Sequence, residues 1–243
     1  MPRAKFDEIY RDLKLRIEND EYPQGELLPS ENELAATYEC SRNTVRRAMA
    51  QLASEGYVQP MHGRGVRNIY SPTGGATFII GGIESFKESA VRNQRNASTQ
   101  VLRFEEMTVD ARFSEKSGFE IGALVLHIIR LREFDDEPLI IDHNWFRREL
   151  LPGLTLELAA GSVYDYIEEE LGMTIATSKR TITVERATAF DETHLDLKGY
   201  NCMVVVTSQT YDDNGMQFEF TQSRHRPDYF RFQDVATRRR QGA

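Results

Sequence analysis

Apolar and polar positions in the first quarter of the chain follow the period of α-helices. Phe6, Ile9, Leu13 and Ile17 recur at intervals of three or four, which predicts a first helix with one buried face. Ser30 then opens a Ser-x-x-Glu sequence, the capping box of a helix start. A second helix is therefore predicted to begin at this serine.

A third predicted helix separates its apolar and basic residues onto opposite sides. Ser41 is a good N-cap, and Val45, Ala48, Met49 and Leu52 then recur at helical spacing. The opposite side is polar and basic from its first turn: Arg42, Asn43, Arg46 and Arg47. In helix-turn-helix docking this part of the second helix meets base edges, and arginine can bond guanine through two parallel hydrogen bonds. The pattern predicts a recognition helix.

Two short strand-like segments follow within residues 57–70, separated by a glycine turn. Gly63, Arg64 and Gly65 form that turn, which predicts a hairpin with Arg64 and His62 at its tip. Such a tip can enter a neighbouring groove of the DNA. The three helices and the hairpin together predict a winged helix-turn-helix.

The charge distribution supports this interpretation. Residues 40–70 hold five arginines and one acidic residue, whereas the whole chain carries a net charge of −8. An acidic protein needs a focused basic surface to bind DNA, and this stretch supplies one. The alternative is that these arginines only form a solvated helix face.

This stretch resembles the DNA-binding domain of GntR-type bacterial transcription regulators. The resemblance rests on the segments at 28–31 and 41–48, on Leu52 and Gly56, and on the turn at 63–65. Two positions depart from the family pattern: Asn32 stands where arginine is frequent, and Glu39 where the turn commonly has glycine. The implied DNA-contacting residues are Ser30, Ser41, Arg42, Asn43, Thr44, Arg46, Arg47, His62, Gly63 and Arg64.

A cluster of breaker residues at 71–75 predicts a linker. It would separate a DNA-binding domain at 1–70 from an effector-binding and dimerisation domain at 76–243. No segment approaches the roughly 20 apolar residues of a membrane helix, and the N-terminus has no apolar signal region. We therefore expect a soluble cytoplasmic protein. Cys40 and Cys202, far apart in sequence, suggest neither a disulfide framework nor a zinc site, and no cofactor is predicted.

The second domain alternates strand-like and helix-like segments. Strands are predicted at 101–109, 123–134, 139–146, 174–186, 203–211 and 216–225, and helices at 86–93, 162–171 and 191–197. Asn214-Gly215 joins the last two strands and is a strong hairpin signal. These features predict an α+β domain, an antiparallel sheet with helices packed against it.

Two arginines on one predicted strand are candidate ligands for an anion. Alternation places Arg130 and Arg132 on the same face as Leu126 and Ile128. Buried guanidiniums are costly unless an anion meets them, and a phosphate or carboxylate suits such a pair. The alternative partners are acids of the same domain: Glu133, Asp135 and Glu137.

Three further polar residues have two interpretations each. Glu219 is predicted on the strand face opposite Phe218 and Phe220, either as a solvated edge charge or as an acceptor for ligand hydroxyls. Ser162 and Tyr164 begin a helix, where free amides favour an anion. On the residues alone, N-capping and core packing explain Ser162 and Tyr164 better.

The chain from residue 71 onward resembles the effector domain of the HutC branch of the GntR family, which is related in fold to chorismate lyase. Segments at 85–88, 162–168, 196–200, 204–206, 221–226 and 230–232 carry a closer likeness to the trehalose operon repressors of that branch. The resemblance implies a sugar phosphate effector, specifically trehalose 6-phosphate. The implied effector-binding residues are Ser85, Phe86, Lys87, Arg130, Arg132, Asp142, Ser162, Tyr164, Glu219 and Phe230.

The predicted function is transcriptional repression of a sugar-utilisation operon. A homodimer would read an inverted repeat in double-stranded DNA and release it when the sugar phosphate binds. One alternative is a regulator that responds to another anion, such as an amino sugar phosphate or a carboxylic acid. A second alternative is a chorismate-lyase-like enzyme, but the sequence has no metal-binding cluster, nucleophile motif or Walker-type loop.

Overall fold

The computed structural model describes residues 5–71, 78–79 and 83–233. These residues divide into two compact units: the first holds residues 5–71 and Gln233, and the second holds the described residues from Phe78 to Phe232. Apart from Ser71, the predicted linker lies outside the described residues. No described helix is long and apolar enough to cross a membrane.

The first unit is a three-helix core with a β-hairpin. Its elements are α1 (Lys5–Glu18), α2 (Glu31–Thr37), α3 (Arg42–Ser54), β1 (Val58–Met61) and β2 (Gly65–Asn68), and the two strands are antiparallel. The predicted apolar positions form its core, with Ile9, Leu13, Val45, Ala48 and Leu52 fully buried. The winged helix-turn-helix prediction is confirmed.

Local hydrogen bonds set the ends of α2 and the start of α3. Ser30 and Glu33 form the complete capping box, and Ser41 accepts from the backbone N–H of Thr44. Between the helices Glu39 has φ +50°, and the N–H of Cys40 donates to the carbonyl of Ala35 at 3.0 Å. This is the six-to-one bond of a Schellman turn, whose left-handed residue is usually glycine. Glu39 therefore adopts the left-handed conformation that glycine usually supplies in this turn.

The second unit is built on a six-stranded antiparallel sheet. Its strands are β4 (Ala97–Thr108), β5 (Leu124–Phe134), β6 (Glu137–Arg147), β7 (Ile175–Arg186), β8 (Cys202–Asp212) and β9 (Gln217–His225). They lie in the order β4-β5-β6-β9-β8-β7. A separate short pair joins β3 (Phe78–Ile79) and β10 (Phe232–Gln233). The helices are α4 (Phe86–Arg92), α5 (Ala111–Ser117), α6 (Leu156–Ala160), α7 (Val163–Asp165), which continues as a π-helical turn (Tyr166–Glu170), and α8 (Ala189–His194).

The helices cover both faces of the sheet. Leu126, Ile128 and Phe146 pack with Ala159 of α6 and Val163 of α7 on one face. On the other face, one apolar cluster packs under Phe190 of α8 and the segment after it, and a second packs around Phe113 of α5. This layered arrangement confirms the predicted α+β class.

The predicted helix at 191–197 is wrong in its bounds. Thr188 caps the helix through Asp191, so it starts at Ala189, and Leu195 is already extended. Helices α5 and α6 were not predicted. Each is short and begins at a single capping side chain, Asp110 or Thr155, so neither shows enough turns for a periodic signal.

A bulge in β9 overturns the predicted alternation around Glu219. Thr210 pairs with Glu219 and Tyr211 with Gln217, which leaves Phe218 as the extra residue. Phe218 therefore packs with Leu126 on the α6 and α7 face, rather than opposite Glu219.

Candidate DNA interface and effector cavity

The recognition helix presents its basic side to solvent. Arg42 and Arg46 have 60% and 58% of their side-chain surface exposed, and Asn43 and Arg47 are also exposed. Val45 and Ala48 on the opposite side are completely buried. The helix thus presents its N-terminal half as the predicted interface requires.

Intramolecular contacts orient the arginines of α3. Both oxygens of Glu31 accept from Arg46, at 3.2 Å from Nε and 2.9 Å from Nη2, and Arg42 Nη2 lies 3.5 Å from the same carboxylate. The hydrogen bond to Glu31 raises the pKa of Arg46 and lowers that of Glu31. The guanidinium of Arg47 lies 4.8 Å from the ring centre of Phe6.

The remaining predicted DNA contacts lie at helix starts and at the hairpin tip. Ser30 and Ser41 are exposed N-caps, and the Ser41 hydroxyl lies 2.9 Å from that of Thr44. His62, Gly63 and Arg64 are exposed between β1 and β2. Gly63 has φ +69° and Gly65 φ +98°, which explains the two glycines of this turn.

All ten predicted effector-binding residues line one cavity of about 650 Å³ in the second unit. The sheet supplies the arginines and Glu219, and the starts of α4 and α7 supply the serines. The volume lies within the range of about 300–1,000 Å³ that is typical of small-molecule sites.

The two arginines of β5 have different surroundings. Arg132 Nε donates to Asp142 Oδ2 at 2.8 Å, its Nη1 donates to Thr99 at 2.7 Å, and the ring centre of Phe86 lies 4.8 Å away. Burial alone would raise the pKa of Asp142, but Arg132 and then Arg130 lower it. Arg132 is therefore largely compensated inside the protein. Its partner is a residue of the facing strand, not one of the three acids considered from the sequence.

Arg130 meets an amide instead of a carboxylate. Its Nε and Nη2 donate to Asn144 Oδ1 at 3.0 and 2.8 Å. Among the described residues no carboxylate oxygen forms an ion pair with it within 4.0 Å, although only 5% of its surface is exposed. Burial and the nearby Arg132 lower the pKa of Arg130 to about 9, so it remains charged at neutral pH. The cavity therefore contains an incompletely compensated cation.

Glu219 is buried and fully hydrogen-bonded, so it is not a solvated edge charge. Its Oε1 accepts from Asn144 at 3.1 Å and from Thr221 at 2.8 Å, and its Oε2 accepts from the Tyr164 hydroxyl at 2.7 Å. Burial and Glu219 raise the pKa of Tyr164 well above its usual value. A continuous network thus runs from Arg130 through Asn144 and Glu219 to α7.

The helix starts at the cavity are held by their own caps. Ser85 caps α4 in a capping box with Glu88, and Ser162 caps α7 through Asp165. Lys87 Nζ lies 2.6 Å from Asp165 Oδ2 and so links the two helix starts. N-capping, the preferred interpretation from the residues alone, is present for Ser162, and Tyr164 packs against the apolar cluster as well as binding Glu219.

Several cavity residues were not predicted. They include Thr99, Asn144, Ser178, Arg180, Ser208, Thr221, Ser223 and His225. A usable signal existed, because Asn144 follows Asp142 by two positions and Thr221 and Ser223 follow Glu219 in the same way. A polar residue at every second position of a buried strand indicates a shared polar face.

Two family models match the chain along its length. The model for bacterial regulatory proteins of the gntR family matches residues 5–67, and the UTRA domain model matches residues 92–231. The second match covers more than half of the chain, and the two matches follow each other in the order of the two structural units. The chain belongs to the GntR family and combines its helix-turn-helix with a UTRA effector domain.

Relatives of known sequence and structure agree with this assignment. The HTH-type transcriptional regulator TreR of Bacillus subtilis (strain 168) is 37% identical over 96% of this chain and 98% of its own length. Its effector-binding domain superimposes with a TM-score of 0.53 at 36% identity, covering 59% of this chain and 99% of that domain. YydK from Bacillus subtilis, a possible transcriptional regulator, matches in fold with a TM-score of 0.81 at 18% identity, over 96% of this chain and 100% of its own. The protein is a transcription regulator, not an enzyme.

Proposed function

We propose that this regulator is a repressor that binds operator DNA and releases it when a sugar phosphate occupies the cavity. The observation that carries the proposal is Arg130, a buried guanidinium that donates to an amide and, among the described residues, forms no ion pair with a carboxylate within 4.0 Å. A buried cation of this kind favours an anionic ligand, because the ligand charge compensates the cost of burial. Trehalose 6-phosphate is the proposed effector, and the 36% identity to the effector-binding domain of the Bacillus subtilis trehalose repressor TreR supports a trehalose-related ligand.

Arg130 is the proposed main phosphate ligand. Arg132 already donates to Asp142 at 2.8 Å, so its positive charge is compensated and should attract a phosphate less strongly. Guanidinium groups bind phosphate through two parallel hydrogen bonds, and the serines and Lys87 at the helix starts add donors around the same cavity. The phosphate would bind beside β5 and between α4 and α7.

The rest of the cavity suits a polyol. Glu219, Asn144 and Thr221 form an acceptor-rich network on the same sheet face. Sugar hydroxyls both donate and accept, so they can exchange with such a network without leaving buried groups unpaired. A phosphorylated sugar therefore matches the cavity at both ends.

The effector proposal is tested with the full-length protein by calorimetric titration and thermal shift. We expect trehalose 6-phosphate to bind and stabilise the protein without being consumed, and unphosphorylated trehalose to bind much more weakly. If an amino sugar phosphate or a carboxylic acid binds instead, the proposed repressor function is retained, but the proposed effector is wrong. Turnover of any ligand would contradict the proposal.

Arg130→Ala tests the phosphate site. The variant should retain DNA binding in gel-shift assays and lose release by the effector. Arg103→Ala, which removes an exposed arginine of the same unit, is the matched control and should respond like the unaltered protein. A normal response in Arg130→Ala would show that the phosphate binds elsewhere.

DNA recognition is proposed to depend on Arg46. Arg46→Ala should weaken binding to the preferred operator by about 1–3 kcal/mol, as expected for the loss of one bidentate base contact. Unchanged affinity would remove Arg46 from base readout. Because ligand and operator are linked, each should weaken the other by the same factor, on the order of 5-fold to 150-fold.

A homodimer formed through the second unit would place two recognition helices on an inverted repeat. The outer edge of β7 suits this contact, since it is twelve residues long and ends the sheet order. Antiparallel self-pairing centred on Ile182 would set Lys179 opposite Glu185 of the second copy. Opposite charges facing across strands stabilise that register.

A charge reversal tests this interface by sedimentation. Lys179→Glu should weaken dimerisation, because like charges would then face each other, and Lys179→Ala should weaken it less. Glu185 is left unchanged, because it also pairs with Arg224 at 2.9 Å within its own unit. A dimer that is equally stable in both variants would exclude the β7 edge.

A further inference from the structure

Glu31 of α2 lies where it can control how the recognition helix uses its arginines. Glu33, and not Glu31, completes the capping box with Ser30, so the Glu31 side chain is not part of the capping box. It holds Arg46 through two hydrogen bonds of 3.2 and 2.9 Å and approaches Arg42 at 3.5 Å. All three side chains are on the exposed side of the unit, with 29% of Glu31 accessible.

The geometry of Arg46 leaves it able to bind a base at the same time. Glu31 accepts hydrogen bonds from Nε and Nη2, which lie along one edge of the Arg46 guanidinium. A guanidinium has five N–H donors in one plane, so the end that carries Nη1 and Nη2 keeps donors directed away from Glu31. Guanine offers O6 and N7 to such a pair of donors. One arginine can thus hold the carboxylate and a guanine together.

We propose that Glu31 is a specificity-determining positioning residue of the DNA interface. Its carboxylate orients Arg46 toward base edges before DNA arrives, which lowers the entropy lost on binding. Its negative charge also opposes contact of Arg42 and Arg46 with phosphates, which attract arginine whatever the base sequence. Glu31 therefore favours the correct operator over other DNA. The inference rests on the proposed role of α3 as the recognition helix.

The test compares two duplexes with the full-length protein. One is selected from a random pool by the unaltered protein, and the other has the same composition in shuffled order. In Glu31→Gln, binding to the shuffled duplex should become stronger, and its logarithmic salt dependence should steepen by about one for each additional phosphate that an arginine neutralises. Binding to the selected duplex should not strengthen, so discrimination should fall on the order of tenfold.

Two further variants distinguish positioning from bulk charge. Glu39→Gln removes the same charge from the adjacent turn and should leave discrimination unchanged. Glu31→Gln added to Arg46→Ala should change discrimination little, because the group that Glu31 positions is gone. Circular dichroism melting of each variant monitors folding of the helices.

The binding measurements distinguish a failure of the Glu31 role from a failure of DNA binding by α3. If both duplexes bind more tightly or more weakly by the same factor in Glu31→Gln, the residue acts through general charge or through folding, and the inference is overturned. An unchanged discrimination overturns it as well. If the unaltered protein selects no duplex at all, the DNA-binding role of α3 fails, and the inference fails with it.

Discussion

The two units use arginine in opposite ways. In the first unit Arg46 is 58% exposed and meets a carboxylate, whereas in the second Arg130 is 5% exposed and meets an amide. An exposed charge keeps its hydration and costs little, so it is available to any strong anion that docks, such as DNA. A buried charge loses its hydration and gains most from a specific anion. The first unit is therefore suited to binding the surface of DNA, and the second unit is suited to enclosing a small anionic ligand.

Removing Asp142 should produce the largest loss of unfolding free energy among the variants that test the difference between the two units. Asp142→Ala leaves Arg132 and Arg130 without their nearest buried anion, and we expect a loss of about 3–5 kcal/mol of unfolding free energy. Trp145, the single tryptophan, reports unfolding of the second unit by fluorescence in urea. Arg103→Ala disrupts an exposed pair and should cost less than about 1 kcal/mol. Equal losses in the two variants would contradict a difference in stability contribution between buried and exposed charge pairs.

Acid should destabilise the second unit through two histidines of its sheet, His143 and His225. Burial lowers the pKa of His143 and of His225 to about 4, below the value of roughly 6.5 for an unfolded chain. The unfolded state therefore takes up protons first as pH falls. Stability should decline between about pH 6.5 and pH 4, by on the order of 2–3 kcal/mol for each histidine.

His143→Gln provides the check on this pH dependence. It should flatten part of the decline in urea midpoints measured by Trp145 fluorescence. His62→Gln, in the exposed hairpin turn of the first unit, should leave the profile unchanged. A profile that is identical in all three proteins would show that other groups cause the acid sensitivity.

The smallest predicted effect concerns the turn before the recognition helix. Glu39 has φ +50°, a conformation that costs a side chain free energy but that glycine adopts readily. Glu39→Gly should therefore stabilise the first unit by about 0.5–1 kcal/mol in thermal melts followed by circular dichroism. Ala36→Gly, at an exposed helical position, should instead destabilise it by about 1 kcal/mol. Destabilisation by both would mean that the conformation of Glu39 is not strained.

Much of the first unit could be predicted because its signals are local. Ser30 and Ser41 cap helices whose apolar residues recur at helical spacing, and Gly63 and Gly65 form the hairpin turn at positive φ. Each of these features depends on residues within a few positions of one another. The basic surface follows directly, since the apolar side of α3 must face the core.

The chain itself therefore determined the helices and hairpin of the first unit, the six long strands of the second, and the placement of Arg130 and Arg132 on one face of β5. Only the tertiary structure decided which groups those arginines meet. Asp142 and Asn144 reach them from the neighbouring strand, and the bulge at Phe218 changes the face of its side chain. Strand pairing and bulges arise from contacts between residues far apart in sequence, so local periodicity cannot specify them.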